Sequence, residues 1–252
     1  MVAGVVLLIS IYNLLMYFAI REIKYLIYIF YLLSVGVYAM CSDGIAYQYL
    51  WPNYPAWNQI ATGVSIYCIV VSALLFTRYF LKTKLKAPVL DKLIIYFLLV
   101  RSAFFLLALF FEHLFAYRFI EIIPLTLIFY TSIYVWMKGY KPARFVVMAY
   151  GVLFIGFIIK SWVESGMISV NAWSYYSLRI CFVLEMLLLT FALGDKVRIL
   201  KDMRDKAQKR TIKEHELNME LREKVNQELE QKVRERIREI EEKNRLLESV
   251  EL

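Results

Sequence analysis

Long apolar blocks alternate with short polar breaks over the first 195 positions of the chain. Each block falls in the range of about 17–25 residues that a helix needs to cross roughly 30 Å of hydrocarbon. The blocks predict seven membrane spans, at residues 2–20, 25–41, 59–81, 89–111, 118–137, 143–164 and 172–194. The pattern therefore predicts an all-α integral membrane protein whose first domain, residues 1–195, is a seven-helix transmembrane bundle.

Residues 196–252 form a second predicted domain, a long charged helical stalk without proline or glycine. Apolar or amide residues recur there every seven positions, as at the a positions of a coiled coil. This ladder consists of Ile212, Met219, Asn226, Val233, Ile240 and Leu247. The d positions are poorer, since they include His215, Arg222, Arg236 and Lys243. The pattern predicts a weak parallel coiled coil that joins two chains into a homodimer, and a single solvated helix is the alternative.

The placement of charge predicts that the chain lies in a lipid bilayer, and it predicts which end of the chain faces the cytoplasm. Apolar residues make up 60% of the chain, against about 45–50% in soluble domains, and the formal net charge is +8. Basic residues crowd every second break, at 21–24, 82–92, 138–144 and 196–201, whereas the breaks between these are nearly bare. This alternation is typical of a chain oriented by a lipid bilayer rather than of a nucleic-acid-binding surface. It predicts an N-terminus outside and a stalk in the cytoplasm.

Motifs for catalysis or metal binding are missing from the sequence. The three cysteines form no CxxC pair, the two histidines form no HExxH motif, and no glycine-rich phosphate loop occurs. The seventh block has no lysine to hold retinal. We therefore predict no enzyme activity, no cofactor and no metal site.

Two groups of residues are candidates for a ligand site. Aromatic residues lie near the predicted outer ends of the spans, and Trp51 and Trp57 are the candidate ligand residues among them. They favour either an interfacial belt or an outer aromatic pocket. Arg101, Arg179 and Glu185 lie inside predicted spans, where charge is costly and faces a partner or a cavity. An Arg101–Glu185 ion pair that fixes helix packing is one prediction for them, and a ligand or proton site is the other.

Several stretches resemble bacterial seven-transmembrane receptors with diverse intracellular signalling modules. They include DGIAYQYLWPN at 43–53, GYKPARF at 139–145 and LEMLLLTFALGD at 184–195, together with Tyr12–Leu14 and Tyr25–Leu26. The stalk segment Leu229–Arg236 is similar to linkers that precede effector modules. The resemblance implies the transmembrane unit of a sensor in the bacterial inner membrane. It also implies an extracellular sensor domain before the first span and a kinase, cyclase or phosphatase after the stalk.

The chain begins at the first span and stops where an effector would start, so we expect a fragment or a protein with separate partners. The leading functional prediction is a receptor core that relays an extracellular or membrane-embedded cue through its stalk to an effector. A small-solute transporter or channel is an alternative, although no internal repeat is visible. A membrane anchor that dimerises its partner is another.

Overall fold

The computed structural model describes residues 2–111, 122–169 and 171–250. The regular structure in these residues is helical. The helices are α1 (Val2–Ile20), α2 (Ile23–Ser42), α3 (Ile45–Tyr49), α4 (Pro55–Leu81), α5 (Thr83–Lys86), α6 (Pro88–Phe110), α7 (Ile122–Met137), α8 (Ala143–Glu164) and α9 (Ala172–Val250).

Six helices are long and apolar enough to cross a membrane: α1, α2, α4, α6, α8 and the first part of α9. These match six of the predicted spans, and the prediction of an all-α membrane protein is confirmed. The fifth predicted span corresponds to α7, which is apolar but has 16 residues. Its first four predicted positions, 118–121, lie outside the described residues.

The largest boundary difference is at the start of α4. The helix begins at Pro55, four positions before the predicted span, because proline suits the first turn of a helix, where the missing N–H is not needed. The predicted break between the second and third spans also contains the short helix α3, which the hydropathy pattern did not indicate. Gly44 starts α3 with a φ of 74°, a left-handed conformation that glycine adopts without steric cost.

The chain divides into two units, Met1–Lys196 and Val197–Leu252. In the first unit α2 packs against α1 and α4, while α7 packs against α8. The interior of this unit is rich in buried aromatic side chains from α2, α4 and α8. The largest of them are Tyr25, Tyr28, Tyr31, Phe76, Phe80 and Tyr150. Much of the remaining apolar surface is exposed in the protein, as a lipid-facing surface must be.

We call the end of the bundle that carries residues 43–54 the outer end, and the end that carries α5 the inner end. An ion pair at the inner end fixes the turn from α4 through α5 to α6. The Asp91 carboxylate accepts from Arg78 Nε at 2.9 Å and from Arg78 Nη2 at 3.2 Å. It also accepts from Thr83 Oγ1 at 2.6 Å. Asp91 stands in the first turn of α6, where negative charge also suits the helix dipole.

In the second unit every described side chain from Lys201 to Arg238 is exposed. The ladder residues Ile212, Met219, Val233 and Ile240 are between 50% and 62% exposed. The side chain of Leu247 lies outside those described. Apolar groups at this spacing have no partner within the described part of one stalk, so coiled-coil pairing stays a prediction.

Candidate functional site

The centre of the bundle contains a buried carboxyl group on α9. Glu185 is fully buried, and its Oε1 accepts a hydrogen bond of 2.9 Å from the Tyr31 hydroxyl of α2. Its Oε2 has no hydrogen-bond partner among the described residues. A carboxyl group at this depth is costly, so its position is set by the partner that it finds. The Tyr31–Glu185 hydrogen bond therefore joins α2 to α9 at this level.

A second tyrosine of α2 holds the backbone of α9 one residue further along. The Tyr28 hydroxyl donates to the Met186 carbonyl at 2.5 Å and lies 3.2 Å from Thr190 Oγ1. The rings of Tyr28 and Tyr31 stack with their centroids 6.2 Å apart. Tyr25, Tyr28 and Tyr31 recur every three positions, which places them close together on one face of α2. That spacing is the sequence signal that could have identified this face. A hydropathy pattern does not reveal it, because tyrosine is intermediate between apolar and polar residues.

At the inner end of the bundle, a lysine of α9 binds the backbone of α4. Lys196 is buried, and its ammonium group donates to the Phe80 carbonyl at 2.9 Å. A lysine so placed satisfies a carbonyl of the last helical turn, which has no partner inside its own helix. The Tyr140 hydroxyl donates to the same carbonyl at 3.3 Å. Burial, with a smaller contribution from Glu22, raises the pKa of Tyr140 to about 12, so this hydroxyl stays a donor at neutral pH.

At the outer end of the bundle, an arginine of α9 binds residues at the end of α2. The Arg179 guanidinium forms an ion pair with Asp43, and its Nη2 lies 3.4 Å from Ser42 Oγ. The guanidinium also lies over the ring of Tyr176, 5.3 Å from its centroid. Beside these groups is a cavity of about 530 Å³, which Arg179 lines together with Lys160 of α8. Within the first unit, residues 172–196 of α9 thus contact α2 and α4 through polar groups at three levels.

The five predicted ligand residues do not form one site. Trp51 and Trp57 pack edge to face, with ring centroids 6.3 Å apart, and the outer cavity is lined by other residues. Arg101 lies over the Phe104 ring and lines a separate cavity of about 190 Å³. Arg179 lines the outer cavity, and Glu185 lies in the centre of the bundle. A ligand role for any of the five stays a prediction.

The predicted Arg101–Glu185 pair is wrong. Among the described residues Glu185 has Tyr31 as its hydrogen-bond partner, and the Arg101 guanidinium faces the Phe104 ring instead. Depth in the membrane alone cannot pair two residues, because pairing also requires the two helices to be neighbours with facing sides. Among the described residues, no group of three or more possible metal-ligating side chains occurs.

Comparison with known proteins agrees with the resemblance seen in the sequence. A family model described as 7TM diverse intracellular signalling matches residues 1–196. The matched segment ends where the first structural unit ends, at Lys196. Among curated proteins and solved structures, none matches the chain.

Proposed function

The chain belongs to the 7TM diverse intracellular signalling family, and from this premise we propose that α9 relays a cue from the bundle to an effector. As a member of that family, the protein is a transmembrane signalling receptor domain. The cue is extracellular or embedded in the membrane. The effector is a kinase, cyclase or phosphatase, carried by the same protein or by a separate chain. The seven-helix bundle itself has no catalytic role in this proposal.

One observation carries the proposal: three side chains of the bundle form hydrogen bonds that join α9 to α2 and α4. Tyr31 binds the Glu185 side chain, Tyr28 binds the Met186 carbonyl, and Lys196 binds the Phe80 carbonyl. Hydrogen bonds of this kind are either made or broken, so they favour discrete positions of a helix over continuous ones. A cue that displaces α2 from α9 would therefore switch α9 between two arrangements.

The stalk is the proposed output of this switch. Residues 172–196 of α9 belong to the bundle, and the same helix runs on to Val250. The ladder from Ile212 to Ile240 offers a weak apolar seam to a second stalk. A marginal helix pair suits a relay, because two packings close in free energy can be exchanged by a small bias. We propose that two chains pair in this way.

Orientation and location belong to the same proposal. Charged loops support an N-terminus outside and a stalk in the cytoplasm of a bacterium, with the bundle in its inner membrane. The inner end carries Lys82, Lys84, Lys86 and Lys138, whereas the described residues 43–54 include no lysine or arginine.

Single cysteines along the stalk test both the pairing and the orientation. They are introduced at Ile212 and Val233 of the ladder, in a chain whose Cys41, Cys68 and Cys181 are replaced by alanine. We expect efficient oxidative cross-linking in membranes, because a positions of paired helices approach each other closely. In intact cells a membrane-impermeant maleimide should leave the same cysteines unlabelled until the cells are opened.

Cysteines at Lys224 and Gln231 are the matched controls, since these positions lie on the opposite side of the heptad. They should cross-link several-fold less than the ladder positions. Equal cross-linking at both sets, or none at the ladder, would contradict the paired stalk. Labelling in intact cells would contradict the orientation.

A further inference from the structure

The outer cavity has the size of a ligand site. It lies among α1, α2, α4, α8 and α9, and its volume is about 530 Å³. Binding sites for small molecules usually occupy about 300–1,000 Å³ and are mostly apolar, with a few polar groups that orient the ligand. The residues that line the cavity belong to the first structural unit.

The lining is polar toward the outer end and apolar further in. Hydroxyl groups come from Ser42, the last residue of α2, and from Ser174, in the first turn of α9. The walls two turns deeper carry Val35 of α2 and Phe182 of α9, and Ile66 of α4 lines the cavity with them. Seven or eight helical residues separate the polar and apolar levels, which is about 10–12 Å along a helix. The cavity thus suits a molecule with a polar head and a short apolar chain.

The two charged side chains of the lining are both cations, which favours an anionic head over a cationic one. Lys160 of α8 and Arg179 of α9 both line the cavity, and the Asp43 carboxylate that pairs with Arg179 lies outside its lining and offsets part of the positive charge. Asp43 and Ser42 hold the Arg179 guanidinium in place from the side of α2. A guanidinium can serve several acceptors at once, because it carries five N–H donors in a rigid fork. Positive groups in apolar surroundings attract an anion more strongly than they would in water.

We infer that this cavity binds the anionic head and the adjoining chain of a single-chain amphiphile, such as a fatty carboxylate. Lys160 and Arg179 hold the head, and the apolar walls hold the chain. The inference deepens the proposed function by naming the class of cue, and only its signalling consequence rests on that function. A ligand here touches α9 directly, through Ser174, Arg179 and Phe182.

Calorimetric titration of the purified chain in phosphatidylcholine nanodiscs, with decanoate as the probe, tests the site. Decanol and decyltrimethylammonium are the matched probes without negative charge, and empty nanodiscs correct for partition into lipid. We expect saturable binding of decanoate alone. Lys160→Gln and Arg179→Gln should each weaken it about tenfold, because each removes a charged partner of the head. Lys141→Gln, at the inner end, should leave the affinity unchanged.

Ala39→Phe is a further variant that fills the cavity without changing its charge, and it should abolish binding. If the Arg179→Gln variant does not fold because Asp43 has lost its ion-pair partner, Ala39→Phe and Lys160→Gln still test the binding site. Decanoate affinity that falls with added phosphatidylglycerol by more than decanoate partition into empty nanodiscs of the same composition identifies a membrane lipid as a competing source of the anion. Affinity that falls by no more than this partition identifies a free amphiphile, and both results support the site.

Equal binding of decanol and decanoate, or unchanged decanoate affinity in Lys160→Gln and Ala39→Phe, would overturn the inference. Since binding is measured without any effector, its failure leaves the proposed relay standing. Failure of the relay would likewise leave the binding site standing.

Discussion

Replacing Asp91 with alanine is expected to lower the free energy of unfolding of the bundle by about 3 kcal/mol, the lower part of the range for breaking a buried ion pair. The Asp91 side chain is 7% exposed and accepts two hydrogen bonds from Arg78 and one from Thr83. Its loss leaves the Arg78 guanidinium without this carboxylate. The lower part of the range applies because the Arg78 side chain is 28% exposed.

Denaturation of the purified protein in detergent, followed by circular dichroism, measures this effect. The matched control is Glu230→Ala, which removes a carboxylate from the exposed Glu230–Arg234 pair, and we expect it to leave stability unchanged. If Asp91→Ala is as stable as the control, the ion pair does not hold the turn from α4 to α6.

Gly156→Ala is the second substitution with a large expected effect, about 1–3 kcal/mol of destabilisation, as for other overpacked sites. A Cβ atom added at Gly156 would lie 2.8 Å from the Cβ and 2.9 Å from the Sγ of Cys181. The Cβ of Cys181 is fixed to the backbone of α9, so relief requires α8 and α9 to move apart. Small residues allow such close approach between helices in membranes.

Two other glycines provide controls for the same substitution. Gly194→Ala should keep or raise stability by up to about 1 kcal/mol, because a Cβ there meets nothing within 4 Å and alanine favours a helix. Gly151→Ala should be mild, since its nearest neighbour would be Phe129 at 3.6 Å, an ordinary contact. Thermal unfolding of the three variants ranks them, and a Gly156→Ala variant as stable as Gly194→Ala would contradict the close contact of α8 with α9.

The membrane spans could be predicted from the sequence because lipid imposes one requirement on every crossing helix: a long apolar stretch. The helix starts were less accessible, since α4 begins at Pro55 within a polar, aromatic stretch that hydropathy assigns to a loop. The short helix α3 is too brief to produce a periodic signal.

The side-chain contacts of the site could not be predicted from the sequence. Hydropathy places Glu185 and Arg179 inside a span, but their partners depend on which helices are neighbours and on how each is rotated. Glu185 pairs with a tyrosine of α2 rather than with Arg101, and Arg179 pairs with Asp43 across a separation of more than a hundred residues. Spacing along a chain carries no information on contacts of that range.

The surface through which the stalk would pair is also not determined by its sequence. Exposed apolar residues recur every four positions at Leu217, Leu221, Val225, Leu229, Val233 and Ile237. A four-residue step turns about 40° further than one full helical turn, so this row winds around the helix and meets the predicted ladder at Val233. The sequence of one stalk therefore contains two candidate seams and does not decide which of them a paired stalk would use.

The central claim, that contacts between α2 and α9 set the packing of two stalks, can be tested by one cross-linking measurement. Cysteines at Met219, which belongs to the ladder alone, and at Val225, which belongs to the four-residue row alone, report the two seams, and their cross-linking yields are compared between the parent chain and its Tyr31→Phe variant in membranes. Tyr96→Phe, at an exposed tyrosine of α6, is the matched control. The relay predicts that Tyr31→Phe changes the ratio of the two yields, because it frees Glu185, while Tyr96→Phe does not. An unchanged ratio in Tyr31→Phe, with cross-linking itself preserved, would contradict the relay.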